Sequence, residues 1–390
     1  MSWQLVEHEA LRLPAGALSP AAGRALWQQF DQTGRRLQVA FPGVPTDEQW
    51  ELTNLGYAGH ISLPATPRLQ LQPKIPLHNL FALIDIAFDL QSYRWLDGWA
   101  SCNSWNAYFD RLAGYLARAI ARRRRQGLYQ DYREREAALP FVRGRLQTAR
   151  LLTQPGPATI PCEFAEATVD NVDNQILLWT LLQLSRTGLT SAETQSQIQR
   201  TARALTGISA VPHSAAACLG RPYNRLNQDY AALHHLCGLL LAGLAPADLA
   251  GTATLPAFLV NMAELFERFL FRWLEASLPS PWQLSAQETV YLDDGGQHRF
   301  ELDLVLRNRA GVRMVLDTKY KRPAGGPSTG DIAQIVAYAQ AIGSPVACLI
   351  YPTPLPQPLD TTIGSVHLRT LHFDLSQPLA SAGAAFLSQL

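Results

Sequence analysis

The 390-residue chain lacks several features that mark well-known functional classes. Its five cysteines are widely scattered, with no CxxC pair and no Cys/His cluster at zinc spacing, so neither a zinc finger nor a disulfide framework is indicated. Reduced, mostly buried thiols are expected instead. No segment matches G-x-x-x-x-G-K-[S/T], so the chain should not hydrolyse nucleoside triphosphates by itself.

Long apolar runs are also missing. The longest run begins at Cys237 and is far too short to span a bilayer, and the first residues contain no basic segment followed by an apolar one. We therefore expect a soluble, cytoplasmic protein without membrane contacts. The chain is 47% hydrophobic and 17% charged, a composition typical of a globular protein that buries a sizeable core in about two or three domains.

Hydrophobic patterns divide the chain into three regions. Residues 1–90 alternate short strand-like runs with Gly and Pro, which predicts a β-rich domain. Helical periodicity dominates residues 91–250, where Asp173 or Asn174 is expected to cap a helix. Residues 251–390 follow the order helix, strands, helix, strand, which predicts an α/β unit. The predicted fold class is therefore α+β and multidomain.

A basic segment interrupts an otherwise balanced charge distribution. The net charge is only +1, so attraction to nucleic acid must come from local patches. Between Arg111 and Arg150 there are eleven arginines against three acidic residues, with tyrosines interspersed. This composition suits phosphate contacts, although a solvated helical face or a contact with a partner protein are alternatives. The DNA-binding candidates are Arg122, Arg123, Arg124, Arg125, Arg143 and Arg145.

The strongest chemical signal lies in residues 299–321. Asp303 alternates with leucines on one predicted strand, and Asp317 and Lys319 lie two residues apart on the next. An antiparallel hairpin would bring the two carboxylates together, and a cation between them would relieve their repulsion. Mg²⁺ suits such a site because it prefers oxygen ligands, and Lys319 would add positive charge near a phosphoryl transition state. Two exposed strand acids beside a surface lysine are the alternative, because D-x-K also occurs by chance.

Two predicted helices flank this hairpin. An amphipathic helix over residues 261–275 places Glu267 beside its apolar stripe. Ser328 and Asp331 have capping-box spacing at the start of a second helix, which places Gln334 and Tyr338 one turn apart.

The order and spacing of these elements resemble the RecB-like branch of the PD-(D/E)xK nucleases, with Leu302 in place of the proline. By that resemblance, the residues around the catalytic metal are Glu267, Asp303, Asp317, Lys319, Gln334 and Tyr338. We predict that Asp303, Asp317 and the backbone carbonyl of Thr318 hold Mg²⁺, for which Mn²⁺ can substitute.

A wider set of segments is similar to the McrC family, the nuclease subunits of McrBC modification-dependent restriction systems. These segments are Arg68-LQLQPKIP, Phe141-VRGRL, Cys162-EFAEATVDNVDNQILLWTLLQL, Leu265-FERFL and Leu316-DTKYK. The resemblance implies an endonuclease that cuts double-stranded DNA carrying modified cytosine, such as 5-methylcytosine. It also implies a β-rich N-terminal part that docks on an McrB-like AAA+ GTPase ring and stimulates GTP hydrolysis.

Several assignments stay open at this point. Lys74 is a candidate partner contact or simply the end of an edge strand. The chain as a whole is a partner-dependent nuclease, a self-sufficient RecB-like nuclease, or a non-catalytic GTPase activator. The resemblance and the intact Asp303, Asp317 and Lys319 favour the first of these.

Overall fold

The computed structural model of the chain describes residues 2–32, 35–63, 68–88, 105–153, 159–244, 255, 257–293, 295–308, 311–321 and 323–390. It is a mixed α/β structure with several sheets, as the predicted class requires. Contacts group the chain into two compact units, Met1–Tyr108 with Gly243–Leu390, and Phe109–Ala242. This division differs from the predicted boundaries at residues 90 and 250, because the first and third predicted regions share one unit. The predicted roles of the three regions stay predictions.

In chain order, the strands are β1 (Ser2–Val6), β2 (Ala10–Pro14), β3 (Leu37–Ala40), β4 (Gln49–Asn54), β5 (Tyr57–Ile61), β6 (Arg68–Gln72), β7 (Asp131–Leu139), β8 (Arg145–Leu146), β9 (Ile160–Thr168), β10 (Ala257–Asn261), β11 (Gln283–Tyr291), β12 (Arg299–Asn308), β13 (Gly311–Thr318), β14 (Val346–Tyr351), β15 (Asp360–Ile363) and β16 (Val366–His372). The helices are α1 (Pro20–Leu26), α2 (Leu77–Ala87), α3 (Trp105–Gln126), α4 (Thr148–Thr153), α5 (Val172–Thr187), α6 (Ala192–Ala204), α7 (Tyr230–Gly243), α8 (Met262–Ser277), α9 (Thr329–Ala341) and α10 (Leu379–Leu387).

Two small sheets form the N-terminal part of the first unit, in the orders β1-β6-β5-β10 and β2-β4-β3. Alternation along β4 buries Trp50 and Leu52 in their common core. Strand β10 comes from the C-terminal third of the chain and pairs with β5. The close approach of β10 to β5 requires a glycine at position 59, where φ is +146°. A Cβ atom there would lie 2.0 Å from the Phe258 carbonyl oxygen. This pairing places the first and third predicted regions in one unit.

The C-terminal part of this unit is built on a six-stranded sheet with the order β11-β12-β13-β14-β16-β15. Strands β11, β12 and β13 are antiparallel neighbours, whereas β13, β14 and β16 are parallel. The predicted amphipathic helix is α8, which begins after its cap Asn261 and buries its apolar stripe. Helix α9 begins after Ser328, whose hydroxyl accepts a hydrogen bond from the Asp331 backbone N–H.

The second unit contains most of α3 together with α5, α6 and α7, in line with the helical periodicity. It also contains a three-stranded sheet, β7-β9-β8, which the periodicity did not predict. Strand β7 is largely exposed on both faces, so no apolar alternation marks it as a strand.

The predicted cap of α5 was wrong. Asn171 is the N-cap, and its side chain accepts from the Asn174 backbone N–H. Asp173 and Asn174 are buried instead, where Asp173 pairs with Arg221 and Asn174 donates to two backbone carbonyls. Buried polar groups need such partners, so these residues hold the unit together and do not begin a helix.

Candidate active site

The centre of the site is the pairing of β12 with β13. Leu304 lies opposite Leu316, and the same antiparallel register continued by one residue places Asp303 opposite Asp317. The Thr318 backbone N–H and hydroxyl both donate to Asp303 Oδ2, at 2.8 and 2.9 Å. These two bonds fix the Asp303 carboxylate at the end of β13, beside Asp317.

Lys319 lies between the strand and helix α9. Its Nζ is 2.7 Å from Asp317 Oδ2 and donates to Gln334 Oε1 at 3.2 Å. Gln334 in turn donates from Nε2 to the Tyr338 hydroxyl at 2.7 Å. The side chain of Asp317 is only 2% exposed and that of Lys319 is 17% exposed, so most of this ion pair is shielded from water. Four of the predicted site residues therefore form one chain of contacts.

Glu267 approaches the same carboxylates from helix α8. Burial raises its pKa to about 7, and the negative charge of Asp303 adds to the effect, with a smaller contribution from Asp317. Its Oε1 lies 3.5 Å from the side-chain nitrogen of Gln287 on β11. The structure thus brings Glu267 to the pair of aspartates, although it is distant from them in sequence.

The pKa values of Asp317 and Lys319 reflect the neighbouring negative charges. Burial raises the pKa of Asp317 to about 6, and the charge of Asp303 acts in the same direction against the opposing effect of Lys319. Burial alone would lower the pKa of Lys319, but its bond to Asp317 and the neighbouring carboxylates raise it above the ordinary value. Lys319 is therefore charged at neutral pH, and the Asp317 carboxyl beside it ionises less readily than an ordinary aspartic acid.

This donor set fits a magnesium ion. Among the described residues, no group of three or more His, Cys, Asp or Glu side chains is placed so that it could hold a metal ion. Mg²⁺ does not require such a group, because it is commonly held by one or two carboxylates and keeps several waters. Asp303 and Asp317 offer oxygen donors of this type, and a cation would relieve the repulsion that, after burial, raises the pKa values of Asp317 and Glu267.

Three nearby residues were not among the predicted site residues. Asp331 was expected only as a helix-capping residue. It also forms an ion pair with Lys321, and its negative charge helps to raise the pKa of Lys319. Gln287 lies on an edge strand, where a polar residue carries no sequence signal, so only the folded structure reveals its contact with Glu267. Lys321 follows the D-T-K segment closely enough to have been considered with it.

The candidate DNA-binding arginines differ in their surroundings. Arg123 pairs with Asp229 at 2.8 Å and lies over the Tyr230 ring, 5.1 Å from its centroid, so it is part of the fold of the second unit. Arg122, Arg124 and Arg125 are exposed at the end of α3.

The other two arginine candidates lie near the sheet of the second unit. Arg143 stacks over the Phe164 ring at 4.2 Å and lies 3.9 Å from Glu166, whereas Arg145 is exposed on β8. Four of the six candidates therefore lie on α3, one lies on β8 and one lies just before β8.

Lys74 lies in the first unit, close to the segment that follows β13. It lines a small cavity together with His8, Tyr320 and Lys321. Its backbone N–H donates to the buried carboxylate of Glu7 at 3.4 Å. Lys74 is thus placed beside the residues that follow Lys319, a position that the sequence did not predict.

Comparison with known proteins gives a family for the chain. Residues 52–352 match the model of the family described as McrBC 5-methylcytosine restriction system component. No curated protein matches the chain. None of the described helices is both long enough and apolar enough to cross a membrane.

Two solved structures from Thermococcus gammatolerans are similar to the chain. One is a half-complex from a tetradecameric assembly of McrB AAA+ hexamers with bound McrC; the match has 19% identity and a TM-score of 0.58, and covers 99% of this chain and 98% of the other. At this identity the likeness shows a shared fold. The second is a cryo-EM structure of the McrBC complex, matched with 21% identity and a TM-score of 0.49 over 72% of this chain and 89% of the other.

Proposed function

The chain belongs to the family of McrBC 5-methylcytosine restriction system components, and from this membership we propose that it is a McrC-type, Mg²⁺-dependent endonuclease subunit. In this proposal the C-terminal part has the PD-(D/E)xK nuclease architecture. The subunit cuts double-stranded DNA carrying modified cytosine when it is assembled with an McrB-like AAA+ GTPase ring, whose GTP hydrolysis it stimulates.

One observation carries the nuclease assignment. Asp303 lies within β12, Asp317 and Lys319 lie at the end of β13 and just after it, and Glu267 lies on α8, yet all four interact with one another in the folded chain. A structural ion pair needs one acid and one base, whereas here burial and neighbouring carboxylates together raise the pKa values of Asp317 and Glu267 around a single lysine. Such clusters of perturbed acids are typical of catalytic sites.

Each residue has a separate task in the proposed reaction. Asp303 and Asp317, with the Thr318 carbonyl, would hold Mg²⁺, which supplies Lewis-acid charge at the scissile phosphate. Lys319 places a positive charge where the phosphoryl oxygens gain negative charge. Glu267 would orient the attacking water or a second metal ion, and its carboxylate can accept a proton.

The remaining two predicted residues act on the lysine. Gln334 holds the Lys319 ammonium in place, and Tyr338 holds Gln334 through its hydroxyl. Because these contacts lead to the site through Lys319, we assign both residues to positioning.

Plasmid cleavage tests the proposal. The purified chain is incubated with Mg²⁺, with and without GTP and the AAA+ protein encoded beside it, on methylated and unmethylated DNA, with Asp317→Ala as the inactive control. We expect cutting that requires the partner, GTP and methylation, and that disappears in the control while GTPase stimulation persists.

The other outcomes separate the competing functions. Cutting by the chain alone, without nucleotide, would indicate a self-sufficient nuclease. Stimulation of GTP hydrolysis without cutting under any condition would indicate an activator that has kept the fold but lost the chemistry.

A further inference from the structure

Gln287 has an unusual backbone for a strand residue. Its neighbours pair as Ala286 with Leu304 and Glu288 with Leu302, so Gln287 lies across from Asp303 in the β11–β12 ladder. Its φ is +50°, in the left-handed region that residues with a Cβ rarely adopt. Within the strands that the structure describes, it is the only residue other than glycine with a positive φ. A strained residue persists only when its surroundings hold it in place.

The surroundings of Gln287 do hold it. Ser285 and Glu288, on either side of it, are both bound by Arg307 of β12, whose guanidinium donates to Ser285 Oγ at 2.7 Å and to Glu288 Oε1 at 2.6 Å. The Ser285 hydroxyl also donates to Glu288 Oε2 at 3.0 Å. This clamp, formed by Ser285, Glu288 and Arg307, fixes the backbone of β11 where the left-handed residue occurs.

The side chain of Gln287 points to the acidic centre. Its Nε2 donates to Glu267 Oε1 at 3.5 Å, and this contact links the edge strand to helix α8. An amide is a neutral donor, so it can direct a carboxylate without replacing the cation that the centre needs.

We propose that Gln287 is a positioning residue of the nuclease centre, held in a left-handed conformation by the clamp so that its amide orients Glu267 toward Asp303 and Asp317. This inference rests on the proposed nuclease function and assigns one more residue to it. The competing explanation is that Gln287 only accommodates an irregularity of the edge strand, with no effect on the centre.

Replacement by glycine separates the two explanations. Gln287→Gly removes the amide and at the same time relieves the left-handed strain, because glycine adopts positive φ freely. If the residue were merely structural, this variant would be at least as stable and as active as the wild type. If it positions Glu267, the variant should be stable but impaired, as often occurs when strain is stored at a functional site.

The experiment uses the full chain and four variants: Gln287→Gly, Gln287→Ala, Glu267→Gln and the double variant Glu267→Gln/Gln287→Gly. Gln283→Ala is the matched control, since Gln283 is an exposed glutamine at the start of the same strand. Thermal midpoints and Mn²⁺ affinity by isothermal titration calorimetry are measured on the purified chain. The values of kcat and KM for methylated DNA are measured in the assembled complex.

We expect Gln287→Gly to keep or raise the thermal midpoint, to lower kcat roughly tenfold with KM changed less than about twofold, and to weaken Mn²⁺ binding roughly tenfold, the usual scale for residues that orient metal-site groups. Gln283→Ala should match the wild type. In the Glu267→Gln background, Gln287→Gly should have no further effect on Mn²⁺ affinity, because its action passes through Glu267.

Wild-type kcat and Mn²⁺ affinity in Gln287→Gly would overturn the inference while leaving the proposed function intact. So would a loss of Mn²⁺ affinity that persists undiminished in the Glu267→Gln background. If the wild-type complex itself neither cut DNA nor bound Mn²⁺, the proposed function would fail, and this inference with it.

Discussion

Lys319 Nζ lies 2.7 Å from Asp317 Oδ2, and the pair is largely shielded from water, yet the pKa of Asp317 is raised to about 6. An ion pair alone would lower that pKa, so burial and the charge of Asp303 outweigh the lysine. Ionisation of Asp317 therefore lowers the free energy of unfolding. Such a cost is expected where function requires charges that folding alone would avoid.

Asp317→Asn should therefore abolish cleavage and stabilise the apo chain. An acid whose folded pKa lies above its unfolded value destabilises the fold once the pH exceeds both, so the neutral amide should gain about 1–3 kcal/mol at pH 8. Cleavage should fall by more than about 100-fold, because even residues that only support a metal site are worth 10–100-fold. Denaturant unfolding without divalent ions and plasmid cleavage check the two effects. A variant that loses both stability and activity would show that Asp317 is mainly a structural partner of Lys319.

Divalent cations should stabilise the wild-type chain. A ligand that binds only the folded state adds about 1.4 kcal/mol at ten times its dissociation constant, so Mg²⁺ or Mn²⁺ should raise the thermal midpoint by a few degrees and EDTA should reverse it. The shift should be absent in Asp303→Asn and Asp317→Asn, which lack a charged donor. Ca²⁺ and a monovalent salt of equal ionic strength serve as controls. An equal shift in the variants would assign the effect to general screening.

Contacts of Gln334 and Tyr338 predict graded losses of activity. Gln334→Ala removes the acceptor for the Lys319 ammonium and should lower kcat roughly tenfold. Tyr338→Phe keeps the ring against Phe300, at a centroid distance of 4.9 Å, and loses only the hydroxyl, so kcat should fall roughly threefold if that bond contributes about 0.6 kcal/mol. Gln340→Ala, exposed on the same helix, is the control. A larger loss in Tyr338→Phe than in Gln334→Ala would contradict this order of contacts.

The buried imidazole of His60 should make a pH-dependent contribution to the stability of the first unit. Burial lowers the pKa of its imidazole to about 4, against an ordinary value of 6.5. Between these values the unfolded chain binds a proton that the native state does not, so the contribution of His60 to stability should fall by about 3 kcal/mol as the pH drops from 6.5 to 4. Asp317 and Glu267, whose pKa values are raised, contribute in the opposite direction, so the test compares variants. In denaturant unfolding at a series of pH values, the stability of His60→Gln relative to the wild type should rise as the pH falls, and His298→Gln, at an exposed hairpin residue, is the control.

Local periodicity predicts the parts of the site that lie within one element. Alternation along β12 placed Asp303 opposite the leucines, and the short β12–β13 connection brought it to Asp317. Helical spacing placed Gln334 and Tyr338 on one face of α9, where they bond to each other. In each case the distance along the chain is short, so geometry within a hairpin or one helix turn was sufficient.

Contacts made across the fold could not be predicted in this way. Nothing in the sequence indicates that β10 pairs with β5, or that Gln287 reaches Glu267 from an edge strand. Ion pairs are equally hard to predict, because the run of arginines does not indicate that Arg123 pairs with Asp229 while its neighbours do not. These contacts join residues far apart in the chain, and local sequence patterns carry no information about them.

Alanine variants of Arg123 and of its exposed neighbours should have different effects. Arg123→Ala should destabilise the second unit by about 1–2 kcal/mol, because it removes the partly buried pair with Asp229 and the contact over the Tyr230 ring. Arg124→Ala should leave stability within about 0.5 kcal/mol, since its side chain is exposed. If the exposed arginines contact DNA phosphates, the Arg124→Ala/Arg125→Ala double variant should weaken DNA binding equally for methylated and unmethylated duplexes and reduce its salt dependence. Denaturant unfolding and a salt titration of binding distinguish the roles, and unchanged binding in the double variant would remove α3 from the DNA-binding surface.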